Sequence, residues 1–219
     1  MSEIPLTGGW VTAGIVRVGD TVRRPQTERS AFVRELLRLL EGVGFEAAPR
    51  YLGIDDDGRD VLSFVEGDVP SDVSGIAWLD PQLRASAELL RTFHDATEGS
   101  ALAGAEEVVC HGDFGPWNLV WRSGLPVAII DFDDARPGTR REDVGYALWK
   151  HLGLGALRLD GSRQGARLEV FLDAYGETIR DPVGAIVEAQ EWLQRKLAAG
   201  LDAVAKIEHE KAWVLEHLA

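Results

Sequence analysis

The chain has 219 residues, 45% of them hydrophobic, and a net charge of −13 from 23 basic and 36 acidic side chains. That is enough apolar chain for one large domain or two small lobes with a real core, and the excess of acid argues against a nucleic acid partner, whose phosphates need Lys and Arg to replace their counterions. A single cysteine excludes an intrachain disulfide, no run reaches the length of a membrane span, and Met1-Ser2-Glu3-Ile4-Pro5 lacks the basic and apolar regions of a signal peptide, so a cytoplasmic protein that spans no membrane is expected.

In chain order, β-branched runs at Trp10 to Thr12 and Gly14 to Val18 predict two strands, Gly19-Asp20 a turn, and Thr21 to Arg24 a third strand. Ser30 to Val43 carries Phe32, Val33, Leu36, Leu37, Leu39 and Leu40 at helical spacing and ends near Gly42 and Gly44. Tyr51 to Ile54 and Val61 to Val65 predict two more strands around Asp55-Asp56-Asp57-Gly58. Helical patterns follow over Pro81 to Ala96, from Arg140 through Leu148, over Leu168 to Tyr175, and from Val183 to Leu218.

The densest chemistry lies between Val108 and Ala135, where Asp113, Asn118 and Asp131 surround two apolar, strand-like runs. Asp113 and Asn118 have the D-x-x-x-x-N spacing of a kinase catalytic loop, and Asp131 follows the run Pro126-Val127-Ala128-Ile129-Ile130 as a metal-binding Asp follows its strand. Phosphoryl transfer needs this set: a carboxylate that orients the acceptor hydroxyl, and an amide oxygen and a second carboxylate that hold Mg²⁺ on the nucleotide phosphates. Two other readings compete. Asp113 can stabilise a turn through its side chain, and Ile129 to Asp133 has the D-x-D strand of phosphatases that form an aspartyl-phosphate, which leaves Asp113 and Asn118 without a task. Cys110 and His111 are strand neighbours that point to opposite faces and cannot form a dyad; in the Val108-Val109 run the cysteine reads as core.

His111-Gly112-Asp113-Phe114-Gly115-Pro116-Trp117-Asn118 and Ile130-Asp131-Phe132-Asp133 together resemble the aminoglycoside phosphotransferase and choline kinase group of the protein-kinase-like fold. The resemblance implies an α+β, two-lobed protein: residues 1–67 as a small nucleotide-binding β lobe with one helix, shorter than usual, and residues 68–219 as a mainly helical catalytic and acceptor-binding lobe. It implies Asp113 as catalytic base, Asn118 and Asp131 as Mg²⁺ ligands with Asp133 assisting, and ATP or GTP as co-substrate. Gly8 and Gly9 would lie in the phosphate-covering turn, and Phe64 and Val65 in the hinge that meets the base. The third strand should carry a cation for the phosphates; with no Lys before Lys150, Arg24, on the strand face of Val22, takes that place, and Glu28 or Glu35 could pair with it, although surface charge accounts better for either. His94 reads as structural, and Asp143 occupies the position of an acid that buttresses the catalytic loop. The acceptor would be a small hydroxyl-bearing molecule, aminoglycoside-like or otherwise, and a cationic one would be steered by the negative charge. The compressed first lobe and the Arg in place of Lys leave a second reading open, a non-catalytic kinase-like nucleotide or metabolite binder.

Overall fold

The computed structural model describes residues 2–6, 14–197 and 201–219. Strands β1 (Ile4–Pro5), β2 (Val16–Val18), β3 (Thr21–Arg24), β4 (Tyr51–Ile54) and β5 (Asp60–Ser63) form an antiparallel sheet in the order β1-β2-β3-β5-β4. The turn from β2 to β3 is made by Gly19, whose φ of +60° suits a residue without Cβ. Register places Arg17, Val22 and Leu62 opposite one another, so they share one face of the sheet. Between β3 and β4 lies helix α1 (Ser30–Gly42), which buries Val33, Leu36, Leu37 and Leu40, the three-and-four spacing that turns one helical stripe toward a core.

After β5 the chain crosses to the helical lobe through Phe64–Asp68. Asp68 and Trp121 exchange both backbone hydrogen bonds, at 2.9 and 2.7 Å, which ties the crossing to the second lobe. Gly67 makes this approach possible: its φ is +145°, and a Cβ there would stand 2.5 Å from Val120. Helix α2 (Asp80–Thr97) follows, then strand β6 (Val108–Cys110), which pairs with β9 (Arg136–Gly138), and the hairpin of β7 (Leu119–Arg122) and β8 (Leu125–Ile129). Helices α3 (Arg140–Leu152), α4 (Gly161–Tyr175), α5 (Pro182–Lys196) and α6 (Leu201–His217) complete the lobe. Gly145 lets α3 lie against α5, since a Cβ there would meet the Ala185 carbonyl oxygen at 2.4 Å.

Several elements differ from the expectation. The first described strand is Ile4–Pro5, while Trp10 to Thr12 fall outside the described residues. The last strand of the sheet ends at Ser63 rather than Val65, with one further ladder bond from the Phe64 N–H to the Asp20 carbonyl. Helix α4 begins seven residues before Leu168, with the Asp160 carboxylate capping it by accepting from the Arg163 N–H at 2.8 Å. The long pattern from Val183 to Leu218 is two helices, α5 and α6.

Candidate active site

The loop between β6 and β7 is built from its backbone outward. His111 and Gly112 give their N–H groups to the two carboxylate oxygens of Asp143, at 2.6 and 2.9 Å. Asp143 is fully buried on α3 and also meets His94 Nε2 at 3.0 Å, while His94 Nδ1 faces the Tyr175 hydroxyl at 2.8 Å. Burial pushes the Asp143 carboxyl up, but the His94 hydrogen bond, the neighbouring imidazoles and the Gly112 N–H outweigh it and hold the group below the usual carboxylate range. The His111 ring spans from this loop to the next strand: Nε2 donates to the Ile130 carbonyl at 3.0 Å and Nδ1 accepts the Asp113 N–H at 3.3 Å. Gly112, at φ +79°, passes so close to Asp134 that a Cβ would stand 2.5 Å from its carbonyl oxygen.

This frame presents Asp113 with both carboxylate oxygens engaged. Oδ2 accepts from Asn118 Nδ2 at 2.8 Å and from Trp117 Nε1 at 3.3 Å; Oδ1 accepts from the Tyr146 hydroxyl at 2.5 Å. Burial first, and then the charge of Asp113, push the Tyr146 phenol well above its usual pKa, so it stays a donor at neutral pH. Asn118 spends its amide hydrogens on the Asp113 side chain and carbonyl, which turns its amide oxygen away from them. The Ile130 N–H bonds the Asn118 carbonyl at 2.9 Å, so the open end of the β7–β8 hairpin carries Asn118 on one side and Asp131 on the other. Asp131 has φ +62°, a left-handed conformation that Asp tolerates better than most residues. Its side chain reaches solvent, yet the cleft walls desolvate it and Asp133 adds repulsion, so its carboxyl is raised, against the opposing pull of Arg24. Among the described residues no donor reaches the Asp131 carboxylate, and no group of three His, Cys, Asp or Glu side chains could hold a metal by itself. An amide oxygen and a carboxylate are hard donors that fit Mg²⁺, an ion that leaves much of its octahedron to water and phosphate.

Across the cleft Arg24, 7% exposed, donates to the Asp133 carboxylate. Glu35 pairs with Arg38 on the exposed side of α1, as surface charge, and Arg24 takes its partner from the other lobe. Arg23, on the opposite face, meets Asp55 at 3.4 Å. Arg29 adds two further links, donating to the carbonyls of Asp133 and Ala135. At the hinge, the Phe64 N–H continues the sheet ladder to the Asp20 carbonyl at 2.8 Å and is therefore not open to a base; its ring lies under the Arg17 guanidinium at 3.6 Å. Val65 is half-buried beside it. Gly8 and Gly9 lie outside the described residues.

The structure thus gathers Asp113, Asn118 and Asp131 at one hairpin mouth, with Arg24 opposite. Sequence reasoning missed Trp117 and Tyr146. Trp117 stood inside the D-x-x-x-x-N loop itself, and Tyr146 lies three residues after Asp143, one turn along the same helix face, which was the available signal. Cys110 is buried, its thiol bonded to the Thr139 carbonyl and pushed up by desolvation, so it is an inert core residue.

Comparison with known proteins agrees with this architecture. Residues 71–186, just over half of the chain, match the model of the phosphotransferase enzyme family APH. The trifolitoxin immunity protein of Rhizobium leguminosarum bv. trifolii is 34% identical over 201 residues, covering 80% of this chain and 74% of that protein. Among solved structures, the streptomycin–ATP ternary complex of APH(2″)-IIa superposes with a TM-score of 0.65 at 13% identity, covering 96% of this chain and 93% of that one. A choline/ethanolamine kinase family protein from Mesorhizobium loti gives 0.60 at 14% identity, covering 100% and 88%. The chain belongs to the APH phosphotransferase family, and its fold is the two-lobed, kinase-like α+β fold.

Proposed function

We propose that the chain transfers the γ-phosphate of ATP or GTP to a hydroxyl of a small acceptor, with residues 1–67 as the nucleotide lobe and 68–219 as the catalytic and acceptor lobe. The observation that carries this reading is the Asp113 carboxylate, fixed by Asn118, Trp117 and Tyr146 beside the open oxygens of Asn118 and Asp131. A base held this firmly orients an acceptor hydroxyl and receives its proton, and little more covalent work is asked of the protein in phosphoryl transfer. Mg²⁺ would be held by Asn118 and Asp131 and would supply charge neutralisation at the phosphates. Arg24 would present a planar guanidinium to the same phosphates, exchanging the Asp133 carboxylate for phosphate oxygens. Phe64 and Val65 would bound the base pocket through the Phe64 ring and the Val65 backbone. An immunity role, the one stated in the name of the 34%-identical relative, fits the same chemistry if the acceptor hydroxyl belongs to a toxic compound.

The test is nucleotide turnover in the presence of hydroxyl-bearing metabolites and antibiotics. Stimulated release of nucleoside diphosphate is expected, and Asp113→Asn should lower kcat by several orders of magnitude with nucleotide Kd nearly unchanged, since only a transition-state role is removed. One set of contacts favours the second reading, a non-catalytic nucleotide or metabolite binder: Arg24 is already neutralised by Asp133 and the Phe64 N–H is already bonded. Binding of nucleotide or metabolite without turnover under any acceptor would select that reading.

A further inference from the structure

Behind Trp117 a pocket of about 180 Å³ opens between the start of the second lobe and helices α3 and α6. Its working walls are Trp78, Trp117, Trp149, Lys150, Lys206 and Glu210. Trp117 lines it while donating its indole N–H to Asp113, so a single indole separates the pocket from the base. The volume admits one ring and a small substituent, well short of the several hundred Å³ that a multi-ring ligand fills.

The charge inside is the reverse of the molecule's. Glu210 is the one acid in the lining, set against two lysines; buried at 6% exposure, it accepts the Trp149 indole N–H at 2.8 Å. Lys150 Nζ rests 3.2 Å over the Trp149 ring and makes no hydrogen bond or ion pair with any described residue; burial draws its pKa down to about 8. Lys206 stands beside it. A cationic ligand would have to displace an ammonium already seated on the aromatic face and then meet the second lysine. The net charge of −13 does not rescue it, because charges elsewhere on the surface are screened over about 8 Å while these lie in the pocket wall.

We infer that this pocket is the acceptor subsite and that it takes a compact, ring-bearing hydroxy acid, with its carboxylate on Lys150 and Lys206, its ring among the tryptophans and its hydroxyl toward Asp113. The inference rests on the phosphotransferase reading for what happens to that hydroxyl. The hydroxyl oxygen forms a bond to the γ-phosphorus as the bridging P–O bond to the nucleoside diphosphate breaks, and the hydroxyl proton passes to Asp113. The pocket therefore sets this chain apart from a polycation-binding enzyme of the same fold.

Three hydroxyl-bearing probes of one size separate the charges: 3-phenyllactate, 3-phenyllactamide and phenylalaninol, bearing a carboxylate, a neutral amide and an ammonium. Titrated against the tryptophan fluorescence of the full chain without nucleotide, phenyllactate should bind tightest and phenylalaninol weakest. Lys150→Met keeps the apolar stem and should weaken phenyllactate roughly tenfold or more, the worth of a charge-assisted contact, while leaving phenyllactamide nearly unchanged. Phenylalaninol binding as well as phenyllactate, an unaltered phenyllactate Kd in Lys150→Met, or no saturable binding of any probe at millimolar concentration would each overturn the assignment. Nucleotide turnover is read separately: phenyllactate bound but never phosphorylated would count against phosphotransfer and leave the anionic pocket standing.

Discussion

At the residue scale, the site depends on donors that a spacing rule does not register. The D-x-x-x-x-N pattern makes Asp113 and Asn118 visible in the sequence, yet the donor to Asp113 Oδ1 is the hydroxyl of Tyr146, 33 positions later. That contact is tertiary, produced by packing α3 under the loop, and no local pattern encodes it. Because burial and Asp113 keep the phenol protonated, Tyr146→Phe removes a hydrogen bond to a charged group, worth roughly 1.5–3 kcal/mol. Turnover should fall about tenfold or more with nucleotide Kd unchanged; equal loss in both would show a folding defect instead. Lys150 extends the argument to pH. The charged groups that face it are Glu210, Lys206 and Asp113, beside the neutral rings of Trp149 and Tyr146, and its ammonium persists below a pKa of about 8. Binding of an anionic probe should therefore be strong at pH 7 and decline as pH rises through 8, and Lys150→Met should flatten that decline.

At the scale of elements, what the sequence reveals depends on whether an element's signals are local. Helix α3 announces itself through Thr139 and Glu142, a capping box in which the Thr139 side chain accepts the Glu142 N–H at 3.2 Å and Glu142 accepts the Thr139 N–H at 2.9 Å. That start sets the phase that points Asp143 at the His111–Gly112 backbone and Tyr146 at Asp113. Helix α4 hides its first turns, because Gly161-Ser162-Arg163-Gln164-Gly165 reads as loop; in the fold Gln164 and Arg167 are buried and both donate to the Leu152 carbonyl, a polar anchor that hydrophobic periodicity does not register. The Asp143 anchor carries a stability prediction. Its folded pKa lies below its unfolded value, so its contribution is fully present above about pH 4 and is lost as pH falls through the folded pKa. Asp143→Asn substitutes an NH₂ for an oxygen that accepts from two donors. It should cost about 2–4 kcal/mol at pH 7, read from urea midpoints, and the difference from the unsubstituted protein should shrink toward pH 2. A difference independent of pH would remove the carboxylate from the account.

At the scale of the whole molecule, the two-lobed plan is legible from the order of strands, helix and motifs, whereas the way the lobes meet is not. The first lobe reaches the second through arginines: Arg24 holds the Asp133 carboxylate, and Arg29 holds the carbonyls of Asp133 and Ala135. Glu35 is surface charge, as the sequence suggested, paired with Arg38; the acid that Arg24 does meet lies 109 positions away, where no local pattern points to it. The closed clamp has a consequence for nucleotide binding. If Arg24 is the phosphate cation, it must release Asp133 before it can bridge phosphate oxygens, and the energy of that ion pair is subtracted from affinity. Asp133→Asn removes the competing charge while keeping the side chain's size, so nucleotide Kd measured by calorimetry should improve several-fold. Arg24→Ala should weaken it far more than Arg23→Ala, whose guanidinium faces Asp55 on the other side of the sheet. In Arg24→Ala the further change Asp133→Asn should bring no such gain, because the competition it relieves is gone. Loss of Mg²⁺-nucleotide binding in Asp133→Asn to the extent seen in Asp131→Ala would instead make Asp133 a metal ligand, and equal, negligible effects of Arg24→Ala and Arg23→Ala would leave the clamp as a structural tie between lobes and favour the non-catalytic binder.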